Sequence, residues 1–390
     1  MAAPHVAVLG AGAFGGWTAL HLLRGGARVT LIDPWGPGHS RASSGGETRI
    51  IRGVYGPDRL YLEWTARAFG LWQEAEERFG IRLLHRTGVL WLCAEGDPYV
   101  RDSVPYVKDA GLEIEEMALE EARRRFPRID LGGVGTLFFE PGSGYLLARR
   151  ACQVVAEAFA AEGGELRSLA ASPGPFRAGR MEGIALSDGS TLRADLYVFA
   201  CGPWLGTVFP EVIGEDFLRV SRQEVFFFGT PADDPAFDEG RCPAWIDLTG
   251  ERIFYGMPGN EHRGFKVADD TRGEPFDPTS GERLVTPEAL ERARDLLARR
   301  FPALQGAPLV ETRVCQYENS PDGHLLFDRH PEAENVWLLG GGSGHGFKLS
   351  PALGEYAARI LLEDGAPEAL LSLDRPSHVP GAPSRTQFDV

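Results

Sequence analysis

"HVAVLGAGAFGGWTALHLLRGGARVTLIDP", residues 5–34, decides the fold. An apolar run reaches a glycine turn, an amphipathic helix follows, and a second apolar run ends in Asp33. The turn reads Gly10-Ala11-Gly12-Ala13-Phe14-Gly15, and each glycine has a physical task. Gly10 makes the tight turn, Gly12 lets the backbone approach a pyrophosphate, and Gly15 lets the helix pack on the strand. The helix N-terminus offers free N–H groups and a partial positive charge to phosphates. Asp33 is placed to accept from a ribose hydroxyl and repels a 2'-phosphate, which disfavours NADP. Strand, turn, helix, strand and terminal acid together predict a dinucleotide site, with FAD and NAD both open at this point.

The chain of 390 residues suits one large or two ordinary domains. Its 43% apolar and 24% charged residues give a soluble globular balance able to bury a sizeable core. A net charge of -15 argues against nucleic acid or an anionic membrane as the main partner, because phosphate-rich surfaces select for basic proteins. A small molecule is the expected partner, and any anionic group on it calls for a few locally placed Arg or Lys side chains. No stretch approaches the ~18 to 20 apolar residues of a spanning helix. The opening residues lack the pattern of a signal peptide, so a cytoplasmic location is expected. Cys93, Cys152, Cys201, Cys242 and Cys315 are odd in number and scattered, which fits neither a disulfide framework nor a zinc site. No metal site is expected.

The stretch after Asp33 favours FAD over NAD. A simple NAD domain would proceed to its next helix and strand, whereas here a Gly/Ser-rich extended loop leads to Thr48, Arg49 and Arg52. Ser43, Ser44, Gly45 and Gly46 are small enough for close backbone approach to an elongated ligand. Helical apolar spacing then runs from Tyr61 to Phe79 and stops at Gly80. Residues 86–94 and 222–229, with "RIFYGMP" and "RGFKVA", read as strands of a mainly antiparallel sheet. Residues 147–202 return to the nucleotide-domain style, with a helix, a hairpin around Asp188-Gly189 and the buried strand "DLYVFACGPW", whose Cys201, Gly202 and Trp204 are expected at the cofactor. The stretch 229–243 is expected to be an exposed loop. Near the end, "NVWLLGG" is a strand, "GSGHGFK" a glycine turn, and "LSPALGEYAARILLEDG" a helix closed by Gly365. That second helix end suits the polar edge of a flavin whose reduced form is anionic.

Three motifs, "GETRIIR" at 46–52, "CQY" at 315–317 and "GSGHGFK" at 342–348, carry a resemblance that runs nearly end to end. The chain resembles the D-amino acid oxidase superfamily of FAD-dependent oxidoreductases, and within it the monomeric sarcosine oxidase and N-methyltryptophan oxidase family. The resemblance implies an α/β plus α+β fold, with a Rossmann-like FAD-binding domain and a discontinuous antiparallel-sheet substrate domain. The expected segments are 1–85, 145–215 and 320–385 for the first and 86–144 and 216–319 for the second. It implies FAD held covalently by Cys315, with Gly342, Gly344, His345, Gly346, Phe347 and Lys348 at its pyrimidine end. Arg49 would lie against the flavin. Arg52 and Lys348 would bind a substrate carboxylate, Arg52 as a bidentate fork and Lys348 as a point charge. Lys266 would activate O2, and Tyr255 and Tyr317 would border the substrate.

The expected activity is therefore oxidation of the C–N bond of a secondary (N-methyl or cyclic) amino acid to an imine, with O2 reduced to hydrogen peroxide by a monomer. The alternatives are an oxidase of glycated (fructosyl) amino acids and a flavin amine dehydrogenase with another electron acceptor. One departure bears on the substrate. Sarcosine oxidases carry a histidine shortly after the oxygen-activating lysine, but here Asp269 or Asp270 stands there. A carboxylate at that place repels a second acid and attracts a cation.

Overall fold

The computed structural model describes residues 3–259, 261 and 263–375. The last part of the expected 320–385 segment, residues 376–385, lies outside the described residues.

Apolar runs too short for a helix pair as strands here, as their β-branched and aromatic content favours. His5–Leu9 sits inside a six-stranded sheet, flanked by Arg28–Ile32 on one side and Leu196–Phe199 on the other. Glu165–Arg167 extends the sheet beyond Arg28–Ile32, and Ala333–Gly340 beyond Leu196–Phe199. All these pairs are parallel, and Leu326–His330 closes the far edge antiparallel. Helix Ala13–Arg24 packs on this sheet with Ala148–Ala161 and Ser350–Glu363 beside it. The contact with Ser350–Glu363 is close because Gly354 faces Trp17, where a Cβ would lie 2.7 Å from backbone.

The glycine turn behaves as its residue types require. Gly10 has φ +106°, and a Cβ there would meet the Ala200 carbonyl oxygen at 2.2 Å. At Gly15 a Cβ would stand 1.9 Å from the Gly10 carbonyl oxygen, so strand and helix could not approach as they do.

An eight-stranded sheet forms the second layer system. It runs from Leu309–Asn319 through Arg219–Phe228, Phe265–Asp269, Phe254–Met257, Ala244–Leu248, Val89–Cys93 and Thr136–Glu140 to Glu115–Glu116. Every pair is antiparallel except Ala244–Leu248 with Val89–Cys93. Period-2 alternation along Phe265–Asp269 sends Phe265 and Val267 into an apolar core with Trp245 and Phe301, leaving Lys266 and Ala268 on the other face. A small sheet of Thr48–Ile51, Gly144–Leu147 and Leu84–His85 carries Arg49.

Two local expectations are corrected. The left-handed residue that ends the Ser350–Glu363 helix is Asp364 (φ 50°), and Gly365 follows it, donating its N–H to the Ile360 carbonyl. The 229–243 stretch is not wholly exposed: Phe237, on a short 3-10 turn, is 1% exposed and meets the Phe265 ring edge-on at 5.8 Å. An apolar anchor in a polar loop has no periodicity to reveal it.

Candidate active site

An elongated cavity of 1320 Å³, counted out to its open mouth, runs along the glycine turn. Gly10, Gly12, Ala13 and Phe14 form part of its wall, together with Asp33, Pro34 and Trp35 and with Gly342, Ser343, Gly344, Gly346 and Phe347. Ser43, Ser44, Arg49, Cys201, Gly202 and Trp204 complete much of the remainder. Asp33 is held by backbone: Oδ2 accepts from Ala11 N at 2.9 Å, and Oδ1 from Trp35 N at 2.9 Å and Gly36 N at 2.8 Å. Gly15 lies beneath the turn and Thr48 is fully buried, so neither lines the cavity.

Sequence reading missed Gln316, Glu318, His39 and the Leu169–Ala171 stretch, all in this wall. Glu318 is 5% exposed, and its Oε1 accepts from Gly342 N at 3.2 Å. Burial pushes its carboxyl up to about 7. Its Oε2 and the Ser43 hydroxyl are buried without a hydrogen-bond partner among the described residues. Two orphaned polar atoms beside a groove with close backbone approach suit a long, hydroxyl-rich dinucleotide. The residues therefore fit FAD. Glu318 adjoins the "CQY" motif, which was the available signal.

A second cavity of about 1020 Å³, counted out to its open mouth, adjoins the first. Both are lined by Arg49, Tyr317, Ser343, Gly344 and Phe347, so a molecule in each would meet at that junction. Arg52, Lys348, Tyr255 and His345 line only the second, together with Trp91, Tyr99, Ile246, Ile253 and Arg272, which sequence reading missed. The Arg52 guanidinium stands 5.0 Å from the Tyr55 ring centroid and 5.2 Å from that of Trp91, and donates to the Val54 carbonyl. Lys348 Nζ stands 4.7 Å from the same Tyr55 ring and donates to the His345 carbonyl at 3.0 Å. Both expected carboxylate ligands thus converge on one aromatic ring.

His345 is committed to structure. Its Nε2 lies 2.9 Å from the Gly323 carbonyl, which only accepts, so Nε2 carries a proton, and Nδ1 lies 3.3 Å from the Tyr55 hydroxyl.

The choice between Asp269 and Asp270 is resolved. Asp269 pairs with Arg252 at 2.6 Å and faces Arg292 at 3.9 Å. Asp270 lines the second cavity and accepts from the Tyr317 hydroxyl at 2.7 Å. Strand alternation continues the face of Lys266 and Ala268 to Asp270.

Lys266 is 2% exposed, with Nζ 3.0 Å from the Thr48 carbonyl oxygen and 5.3 Å from the Tyr255 ring. Burial, and then the charge of Arg49, hold its pKa well below the usual lysine value. Cys315 is 8% exposed, its Sγ 3.5 Å from Arg49 Nη2 and 3.6 Å from the Ser43 carbonyl oxygen. Neither Lys266 nor Cys315 lines either of these two cavities; Lys266 contacts the Thr48 backbone, and Cys315 the Ser43 backbone and the Arg49 side chain. Burial also pushes the Tyr255 hydroxyl up to about 12. Among the described residues no cluster of His, Cys, Asp and Glu could hold a metal ion, and no helix is long and apolar enough to cross a membrane.

A cavity along the glycine turn whose lining fits FAD and a cation-lined pocket meet at one junction, as an FAD-dependent enzyme requires. The family model for FAD dependent oxidoreductase matches residues 5–360, and the chain belongs to that family. It is 29% identical over 377 residues to a monomeric sarcosine oxidase of Arthrobacter sp. (strain TE1826), covering 95% of this chain and 96% of that one. It is 26% identical over 370 residues to an N-methyl-L-tryptophan oxidase of Yersinia pestis (strain Pestoides F), covering 92% and 95%. Among solved structures, L-proline dehydrogenase from P. horikoshii superposes with a TM-score of 0.82 at 20% identity, covering 93% of this chain and 94% of that one.

Proposed function

We propose that this FAD-dependent oxidoreductase oxidises the C–N bond of a secondary amino acid, N-methyl or cyclic, to an imine and passes the electrons to O2, yielding hydrogen peroxide. The observation that carries the reading is the junction of the two cavities at Arg49, Tyr317 and Gly344, with Arg52 and Lys348 on the wall of the second. Bound FAD supplies the two-electron acceptor. The chain's own residues bind and orient. Arg52 and Lys348 hold the substrate carboxylate, and Tyr255 and Tyr317 border the carbon that is oxidised. Arg49 lies against the flavin. Cys315, whose sulfur contacts Arg49 and the Ser43 carbonyl, would tether FAD through a thioether. Lys266 supplies a fixed positive charge where O2 is reduced.

The enzyme is read as a cytoplasmic monomer. Of the expected segments 1–85, 145–215 and 320–385, the described residues would form its FAD-binding domain, and those of 86–144 with 216–319 its substrate domain. The likeness to a sarcosine oxidase and an N-methyl-L-tryptophan oxidase along nearly the whole chain supports the N-methyl amino acid class.

A panel of sarcosine, other N-methyl amino acids, proline and fructosyl amino acids, assayed for hydrogen peroxide, tests the reading. Peroxide is expected with at least one secondary amino acid and not with the corresponding amine lacking a carboxylate. Peroxide from fructosyl amino acids alone, or none from any member, would contradict it.

A further inference from the structure

The second cavity holds one carboxylate that the proposed chemistry has not used. Asp270 follows the Phe265–Asp269 strand, its N–H fixed on the Ile253 carbonyl at 2.7 Å, and its side chain enters the cavity wall. Oδ1 accepts from Tyr317 at 2.7 Å. Oδ2 accepts no hydrogen bond, and Asp270 forms no ion pair, among the described residues. Arg52 and Lys348 line the same cavity, and donate to the carbonyls of Val54 and His345. Acid and cations therefore line one space with no ion pair between them among the described residues. That pattern suits a zwitterion, whose carboxylate and ammonium take opposite partners.

Building on the proposed secondary amino acid substrate, we propose that Asp270 is the acceptor for the substrate's nitrogen: it pairs with the ammonium and takes one N–H proton before C–N oxidation. The step balances as ammonium plus carboxylate giving neutral amine plus carboxylic acid. It is required chemically, because an ammonium has no lone pair to support oxidation at the adjacent carbon. A secondary amino acid is almost entirely ammonium at neutral pH, so a local acceptor removes the need to draw on the rare neutral form.

The surroundings favour the transfer. Burial raises the Asp270 pKa, with the Tyr317 hydrogen bond and the charges of Arg52 and Lys348 opposing it. The same cations lower the pKa of an ammonium bound beside them, so donor and acceptor approach each other. The other charged or titratable groups around this cavity are Arg49, Arg272, Tyr99, Tyr255 and His345, with Asp269 behind it paired to Arg252. Among these, Asp270 is the acid on the cavity wall. Substrates with a neutral or anionic group at that place would be rejected.

Two inert probes of nearly equal shape test this without turnover. Trimethylglycine carries a carboxylate and a permanent cation; 3,3-dimethylbutanoate carries the carboxylate and a neutral tert-butyl group. Binding to the holoenzyme is read from perturbation of the flavin spectrum. The wild type should bind trimethylglycine at least tenfold more tightly, Asp270→Asn should abolish or reverse that preference, and Asp270→Glu should retain part of it. Asp270→Glu also guards against a folding defect in the asparagine variant. In parallel, the rate of flavin reduction by a secondary amino acid should shift its ascending pH limb upward in Asp270→Asn, with the deficit narrowing at alkaline pH. Equal binding of the probes to wild type, or a preference unchanged in Asp270→Asn, would overturn the assignment. If a secondary amino acid still reduced the flavin, the proposed function would stand without it. Binding of neither probe would overturn both the zwitterion site and Asp270's part in it.

Discussion

Arg49 brings Nη2 to 3.5 Å from the sulfur of Cys315, while its other contacts reach the carbonyls of Thr48 and Ser43. The sulfur proposed to tether FAD therefore lies against a fixed guanidinium. Cys315→Ser is expected to release all FAD into the supernatant after acid precipitation, whereas the wild type keeps its colour in the pellet. Arg49→Met should slow the attachment during reconstitution. Equal release from wild type and Cys315→Ser would exclude the tether.

Arg52 lies between the rings of Tyr55 and Trp91 at 5.0 and 5.2 Å, a place for a planar cation. Arg52→Lys keeps the charge and loses the fork. A loss of about 2 kcal/mol in substrate binding is expected, roughly thirtyfold in kcat/KM and carried mainly by KM. Steady-state kinetics with the best secondary amino acid measure it.

Lys266 combines a cost in stability with a use in the oxidative half-reaction. Its folded pKa lies below the unfolded value, so the folded chain binds fewer protons, and stability is lost as pH falls from the unfolded value through the folded one. Lys266→Met is therefore expected to unfold at higher urea concentration at neutral pH. The same variant should react with O2 some 10²-fold more slowly, as loss of one fixed charge at a developing anion implies. In the wild type the O2 rate should fall as pH rises through the depressed pKa, and in Lys266→Met it should be flat. Stopped-flow reoxidation across pH measures both.

Gly344 sits in the junction with φ +76°, and a Cβ there would approach the Tyr317 ring at 2.8 Å. Gly344→Ala should cost about 1–3 kcal/mol from backbone strain and overpacking. By displacing Tyr317, it should also weaken substrate binding. Denaturation of holoenzyme gives the first effect and probe binding the second.

Glu318 has one carboxylate oxygen without a protein partner on the wall of the dinucleotide cavity. In a Cys315→Ser background, where FAD exchanges, Glu318→Leu should weaken FAD binding about tenfold, the worth of one hydrogen bond of about 1.4 kcal/mol. Glu318→Gln should bind nearly as tightly as the parent. Fluorescence titration of FAD separates the two.

The nucleotide-binding half was legible because its signals are local. Gly10, Gly15 and Asp33 sit a fixed number of residues apart, and their positions follow from backbone geometry alone. The second cavity was legible only in part. Arg52 and Lys348 came from motifs, but their convergence on Tyr55 brings together residues far apart in the chain. The choice between Asp269 and Asp270 depended on where strand alternation continues past Phe265–Asp269 and on Arg252 claiming the first of them. Glu318 was missed because an acid in a strand reads as solvent-facing until its burial among glycines is seen. Trp91, Ile246 and Ile253 were missed because an apolar strand residue in a pocket has the same sequence pattern as one in the core.

The most direct test of the central claim is anaerobic titration of the holoenzyme's visible flavin absorbance with a secondary amino acid, followed by admission of O2. Full bleaching by one equivalent of an N-methyl or cyclic amino acid, and recovery on oxygenation with one equivalent of hydrogen peroxide, is the predicted result. A flavin that no secondary amino acid bleaches, while dithionite does, would contradict the account.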